Sequence, residues 1–119
     1  MITSHHFSAI LPVSPAVHQW SDRDFLTLLK TLAQQVGLTP VGEMAIAFQP
    51  QGISAVVLLE ESHIALHFWP EEGKVSIDIH VCDYQQSNHA KAKQLTHLFT
   101  LHLSGSDRDH DWHHLSLVR

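Results

Sequence analysis

Ile53-Ser54-Ala55-Val56-Val57-Leu58-Leu59-Glu60-Glu61-Ser62-His63-Ile64-Ala65-Leu66-His67-Phe68-Trp69 is the stretch that decides the fold. Its first seven residues are apolar but for Ser54 and rich in β-branched types, the mark of a buried strand. Glu60 and Glu61 interrupt that run, and a second strand-like stretch, His63–Trp69, follows almost at once. Pro70, the pair Glu71-Glu72 and Gly73 turn the chain again. Val75, Ile77, Ile79 and Val81 then alternate with Ser76, Asp78, His80 and Cys82, which predicts a strand with one apolar and one polar face. Upstream, Val41–Phe48 reads as a strand carrying Met44, Ile46 and Phe48 on one face, closed by the turn residues Gln49-Pro50-Gln51-Gly52.

The flanks extend this pattern. His5–Val13 alternates, with Phe7, Ala9, Leu11 and Val13 on one face, and Pro12 and Pro15 mark its end or an edge position. Phe25, Leu28, Leu29, Leu32, Ala33 and Val36 fall on one helical stripe, predicting a helix over Asp22–Val36. Ser21 stands at the N-cap, Asp24 three residues on, and Gly37 at the position that favours positive φ. A second helix is expected over Asn88–His102, capped by Ser87 and burying Ala92, Leu95, Leu98 and Phe99. Ser104–Asp111 reads as a polar loop and Trp112–Val118 as a last strand. The order β-α-β-β-β-β-α-β with short turns implies an α+β two-layer sandwich: an antiparallel sheet with two helices on one face. His67, His80 and Cys82 then fall on the other face.

At 119 residues the chain is expected to be one domain spanning 1–119, without repeats or linkers. A formal charge of −5 leaves no basic footprint for nucleic acid. No apolar run reaches the ~18 residues of a membrane span, and Met1–Phe7 lacks a secretory pattern. The single cysteine, Cys82, excludes an internal disulfide and suits a cytoplasmic location. Histidine is abundant, 12 residues. Asp107, Asp109, His110, Asp111, His113 and His114 offer metal-ligand types, but His113 and His114 are adjacent and point oppositely on a strand. That tail, and His5-His6, are read as solvated, and no metal is expected.

Glu60-Glu61-Ser62-His63-Ile64-Ala65-Leu66-His67-Phe68-Trp69-Pro70-Glu71 resembles the signature of the short prokaryotic S-adenosylmethionine decarboxylases, Glu-Ser-His, three residues, then His-Thr-Trp-Pro-Glu. Phe48-Gln49-Pro50-Gln51-Gly52-Ile53-Ser54 is similar to the family's Phe-x-Pro-Gln-Gly-Val-Ser, and the strand ending in Cys82 has its counterpart too. The resemblance covers roughly Val41–Asp83. It implies self-cleavage between Glu61 and Ser62 and a pyruvoyl cofactor made from Ser62. The group would serve decarboxylation of S-adenosylmethionine to the aminopropyl donor of polyamine synthesis.

Chemistry explains why such a family needs these residue types. Loss of CO₂ from an amino acid leaves a carbanion, and a ketone conjugated to an amide is an electron sink once the substrate amine has joined it as an imine. By resemblance, Ser62 is the pyruvoyl precursor, His67 the base of processing, and Ser54 orients the cleavage site. Cys82 is the general acid, a role that suits a thiol with an unperturbed pKa near ~8.5. Phe48 and Trp69 flank the adenine, and Glu71 accepts from the ribose hydroxyls. The resemblance also implies a homodimer with sites at or near the subunit interface. Singly, Ser62 reads as a surface turn residue, Cys82 as a small buried hydrophobe, and Phe48 and Trp69 as core.

Ser62 and His67 are five residues apart, so a regular strand sends them to opposite faces. The expectation is therefore that Ser62 sits in the turn, outside the ladder. Phe68 departs from the family's threonine and is expected to alter the pocket. The segment Leu11-Pro12-Val13-Ser14-Pro15 replaces a Tyr-Gly-Cys-Asp-like pattern. Two rival readings follow: a pyruvoyl enzyme acting on arginine or ornithine, and an uncleaved, non-catalytic homologue.

Overall fold

The computed structural model describes Met1–Arg108 and Asp111–Arg119; Asp109 and His110, weighed above as ligands, lie outside the described residues. The strands are β1 (Thr3–Pro12), β2 (Pro40–Ala47), β3 (Ile53–Leu59), β4 (Ser62–Trp69), β5 (Lys74–Asp83) and β6 (His113–Val118). They form one sheet in the order β2-β3-β4-β5-β1-β6, antiparallel at every pair. Helix α1 (Asp22–Gln35) packs on β2 and β3, and α2 (His89–Ser104) on β1 and β5. Both helices cover the same face, so the α+β sandwich expected from the sequence is the architecture observed.

The amphipathic periods account for the packing. Phe7, Ala9 and Leu11, then Ala55, Val57 and Leu59, then Ile64, Leu66 and Phe68, then Val75, Ile77, Ile79 and Val81 point under the helices and are buried. Phe25, Leu29, Leu32 and Ala33 meet them from α1, and Ala92, Leu95, Phe99 and Leu103 from α2. Phe25 sits at the centre, its ring 5.2 Å from Trp20 and 5.3 Å from Phe68. Burying one such ring stabilises the fold by about 1.5–3 kcal/mol. Helix α1 opens on a complete capping box: Ser21 Oγ accepts from the Asp24 amide and the Asp24 carboxylate accepts from the Ser21 amide. Gly37 follows at φ 89°.

Three local expectations are corrected. The N-cap of α2 is Asn88, not Ser87, and Asn88 makes no side-chain cap bond; the Asp83 carboxylate accepts from its backbone amide instead, at 2.6 Å. A carboxylate there satisfies an otherwise orphaned donor and favours the positive helix end. Ser62 is not outside the ladder: it opens β4, pairs with Leu59 and is buried on the helix side, because Glu60 and Glu61 alone make the turn. A single 3-10 turn, Pro15–Gln19, fills the segment left without structure between β1 and α1. Among the described residues, no helix is long and apolar enough to cross a membrane.

Candidate active site

The helix-free face of the sheet carries Ser54, His63, His67, Trp69, His80 and Cys82, set there by the alternation that buries their neighbours. His67 and Ser54 are cross-strand partners, and Ser54 Oγ lies 2.7 Å from His67 Nδ1. At their end of the sheet, a cleft of about 310 Å³ is lined by Phe48, Ser54, His67, Trp69 and Glu71 among others. Five of the residues singled out from the sequence thus share one cavity. Phe48 and Trp69 are each 49% exposed, so neither belongs to the core that a default reading assigns them. The Gln51 side-chain amide donates to Glu71 Oε2 at 2.9 Å and holds that carboxylate at the rim. Phe68 has its ring in the core, 4% exposed, against Phe25 and His18. It also lines the cleft, so its replacement of threonine bears on both the core packing and the pocket wall.

The remaining site residues lie at the other end of β4. Glu61 adopts φ 60°, a left-handed conformation that costs a non-glycine residue about 1–2 kcal/mol. Ser62, next in the chain, is 6% exposed, and its hydroxyl has no hydrogen-bond partner among the described residues. Strain at one residue and an orphaned buried hydroxyl at the next are two local costs at a single peptide bond. The β4–β5 register pairs His63 with His80, and two further steps carry it to Glu61 and Cys82. Glu60, Glu61 and Cys82 accordingly line a second cavity of about 740 Å³ together with Tyr84, Gln85 and Asn88. Burial, then the Glu61 and Asp83 carboxylates, push the Cys82 thiol above its ordinary pKa, so it holds its proton at neutral pH. The Asn88 side-chain amide donates to the Cys82 carbonyl at 2.9 Å and ties the start of α2 to this strand end.

Sequence reading did not single out Tyr84, Gln85 or Asn88; nothing in their types marks them, and only their closeness to Cys82 in the chain gave a signal. It also missed a row of imidazoles. His80 stacks on His6 at 4.4 Å and meets His63 edge-on at 4.8 Å, with Cys82 Sγ 3.5 Å from His80 Nε2. Burial, then the neighbouring His6 and His63, hold His80 below the ordinary imidazole range.

A family model described as S-adenosylmethionine decarboxylase matches residues 16–106. The S-adenosylmethionine decarboxylase proenzyme of Parasynechococcus marenigrum is 35% identical over 83 residues, 69% of this chain and 63% of that one. The proenzyme of Symbiobacterium thermophilum is 48% identical over 52 residues, 44% of this chain and 39% of that one. The chain thus spans between about two fifths and three fifths of the length of these curated relatives. A crystal structure of the adenosylmethionine decarboxylase from Aquifex aeolicus superposes with a TM-score of 0.73 at 23% identity, covering 98% of this chain and 88% of that one, a likeness of fold. With its family model matched over most of its length, the chain belongs to the S-adenosylmethionine decarboxylase family.

Proposed function

We propose that this chain is a proenzyme that cuts itself between Glu61 and Ser62 and then decarboxylates S-adenosylmethionine. The observation that carries the reading is the buried, unpartnered Ser62 hydroxyl directly after Glu61 at φ 60°. Ser62 Oγ attacks the Glu61 carbonyl carbon; the new C–O bond forms, the C–N bond breaks, and the hydroxyl proton passes to the nitrogen. A base then takes the α-proton of residue 62, and Glu61 leaves as a carboxylate. Hydrolysis of the resulting dehydroalanine releases ammonia and leaves a pyruvoyl group on the fragment that ends at Arg119.

The residues present suit that group. When formed, it supplies the electron sink for decarboxylation. Cys82, protonated beside Glu61, holds the proton to be returned to the substrate's Cα. Phe48 and Trp69 offer planar surfaces for a purine, and Glu71 an acceptor pair for ribose hydroxyls. An arginine or ornithine enzyme needs a carboxylate for the distal cation, and Glu71, already engaged by Gln51, is the acid in this cleft.

The base assigned to processing is His67, and the working unit is a homodimer. Within one chain His67 lies five residues further along β4 than Ser62, about 17 Å away. The helix-free face also exposes Ile10, Met44, Ile46, Leu58, Trp69, Leu115 and Leu117. So much apolar surface on one face calls for a cover. A second copy packed face to face buries it and brings Ser54 and His67 of one copy towards the Glu61–Ser62 end of the other. Mass spectrometry of the purified chain tests the reading: two fragments, Met1–Glu61 and a pyruvoyl-capped 62–119, are expected, and Ser62→Ala stays whole. A single intact, inactive wild-type chain supports the non-catalytic homologue instead.

A further inference from the structure

We propose that His5, His89 and His114 form a binding site for a divalent first-row transition metal ion of the zinc type. The three residues come from β1, from the first turn of α2 and from β6, and one ligand atom of each lies within 4.8 Å of the others. Their ring centroids are 4.6, 5.1 and 5.5 Å apart. His5 Nδ1 and His114 Nε2 are 3.3 Å apart. Two nitrogens bound to one tetrahedral zinc ion at 2.0–2.1 Å are separated by roughly 3.3 Å, so this edge is already in place. The His89 ligand atom, within 4.8 Å of both, would have to draw in to close the triangle, leaving a fourth position open to solvent on the exposed His114 side.

The surroundings favour the ligating form. Asp83 Oδ2 lies 2.9 Å from His5 Nε2. A carboxylate only accepts, so that nitrogen carries the hydrogen and Nδ1 presents its lone pair inward, the carboxylate–histidine arrangement found behind metal ligands. The Ser116 hydroxyl, 2.8 Å from His5 Nδ1 and 2.9 Å from His114 Nε2, engages both nitrogens, and a bound ion would take its place. Phe7 stacks flat on His114 at 4.3 Å and backs the site with an apolar wall. A bound ion would join edge strand β6 and the start of α2 to β1.

Titration of untagged, chelator-stripped full-length chain with Zn²⁺ against a chromophoric competitor, and with Co²⁺ for visible absorption, tests this. One tight equivalent per chain is expected, with a higher melting temperature in Zn²⁺. His89→Ala and the exposed-site His114→Ala should each weaken it by ~100-fold or more, and Asp83→Asn by ~10–100-fold. His6→Ala and His63→Ala should leave it unchanged, as should Ser62→Ala, which separates this site from chain cleavage. Wild-type affinity no tighter than that of the His89→Ala/His114→Ala double variant overturns the proposal. So does loss of the tight equivalent on changing His6 or His63, which would put the ion on the other histidine row.

Discussion

Ser62 and His67 occupy the same strand, yet point to opposite faces of the sheet: Ser62 is buried under the helices and His67 lies on the open face beside Ser54. Five residues of one intact β4 hold the two about 17 Å apart, too far for a proton to pass directly between them. If two copies share each site, two uncut variants can complement. Co-expressed Ser62→Ala and His67→Ala chains should cut the His67→Ala chain alone, because the first supplies His67 and the second Ser62. A denaturing gel with differently sized tags reads the result. No cutting in the mixture would place both groups in one copy.

Glu61 holds a backbone conformation that glycine adopts without strain. In a Ser62→Ala background, which keeps the chain whole, Glu61→Gly should stabilise the precursor by about 1 kcal/mol. Urea unfolding measures this directly. Equal or lower stability would mean that the turn carries no such strain.

Much of the fold was legible because it is written in local periods. The stripe Phe25–Val36 with Ser21, Asp24 and Gly37 at its ends predicted α1 to within a residue, and its capping box is present. Alternation in β5 assigned His80 and Cys82 to the polar face. The cleft was legible through motif spacing, since Phe48, Ser54, His67, Trp69 and Glu71 meet there across two hairpins. Ser62 was misplaced because the corner at Glu60-Glu61 closes in two residues without it, and so tight a turn rests on the uncommon φ that Glu61 adopts. The meeting of His5, His89 and His114 was hidden for a different reason. Each belongs to another element, and only the β1–β6 register and the docking of α2 bring them together.

His80 should make stability depend on pH. Its pKa is lowered in the folded state by burial, then by His6 and His63. The unfolded chain, with an ordinary value near ~6.5, binds the proton more readily, so stability falls as pH drops below that value. Melting temperatures at pH 7.5 and 5.5 should differ, with the lower one at pH 5.5. His80→Phe should reduce the difference, while His114, also held low, leaves a remainder. An undiminished difference in His80→Phe would assign it elsewhere.

On the proposed function, a change at Cys82 should separate cofactor formation from turnover. Its thiol lines the cavity at Glu61 and is kept protonated by burial and by the carboxylates of Glu61 and Asp83. Proton return to the substrate comes after the chain is cut, so Cys82→Ala should still yield two fragments. Decarboxylation of S-adenosylmethionine should fall by ~10²–10⁴-fold, mainly in kcat, since a general acid acts in the transition state. His67→Ala in both copies should stop earlier, at the ester, which added hydroxylamine cleaves without a pyruvoyl end. Mass spectrometry of each variant, alongside CO₂ release, distinguishes the two stages. Wild-type turnover by a processed Cys82→Ala enzyme would take the thiol out of the reaction and leave its place beside Glu61 without a catalytic purpose.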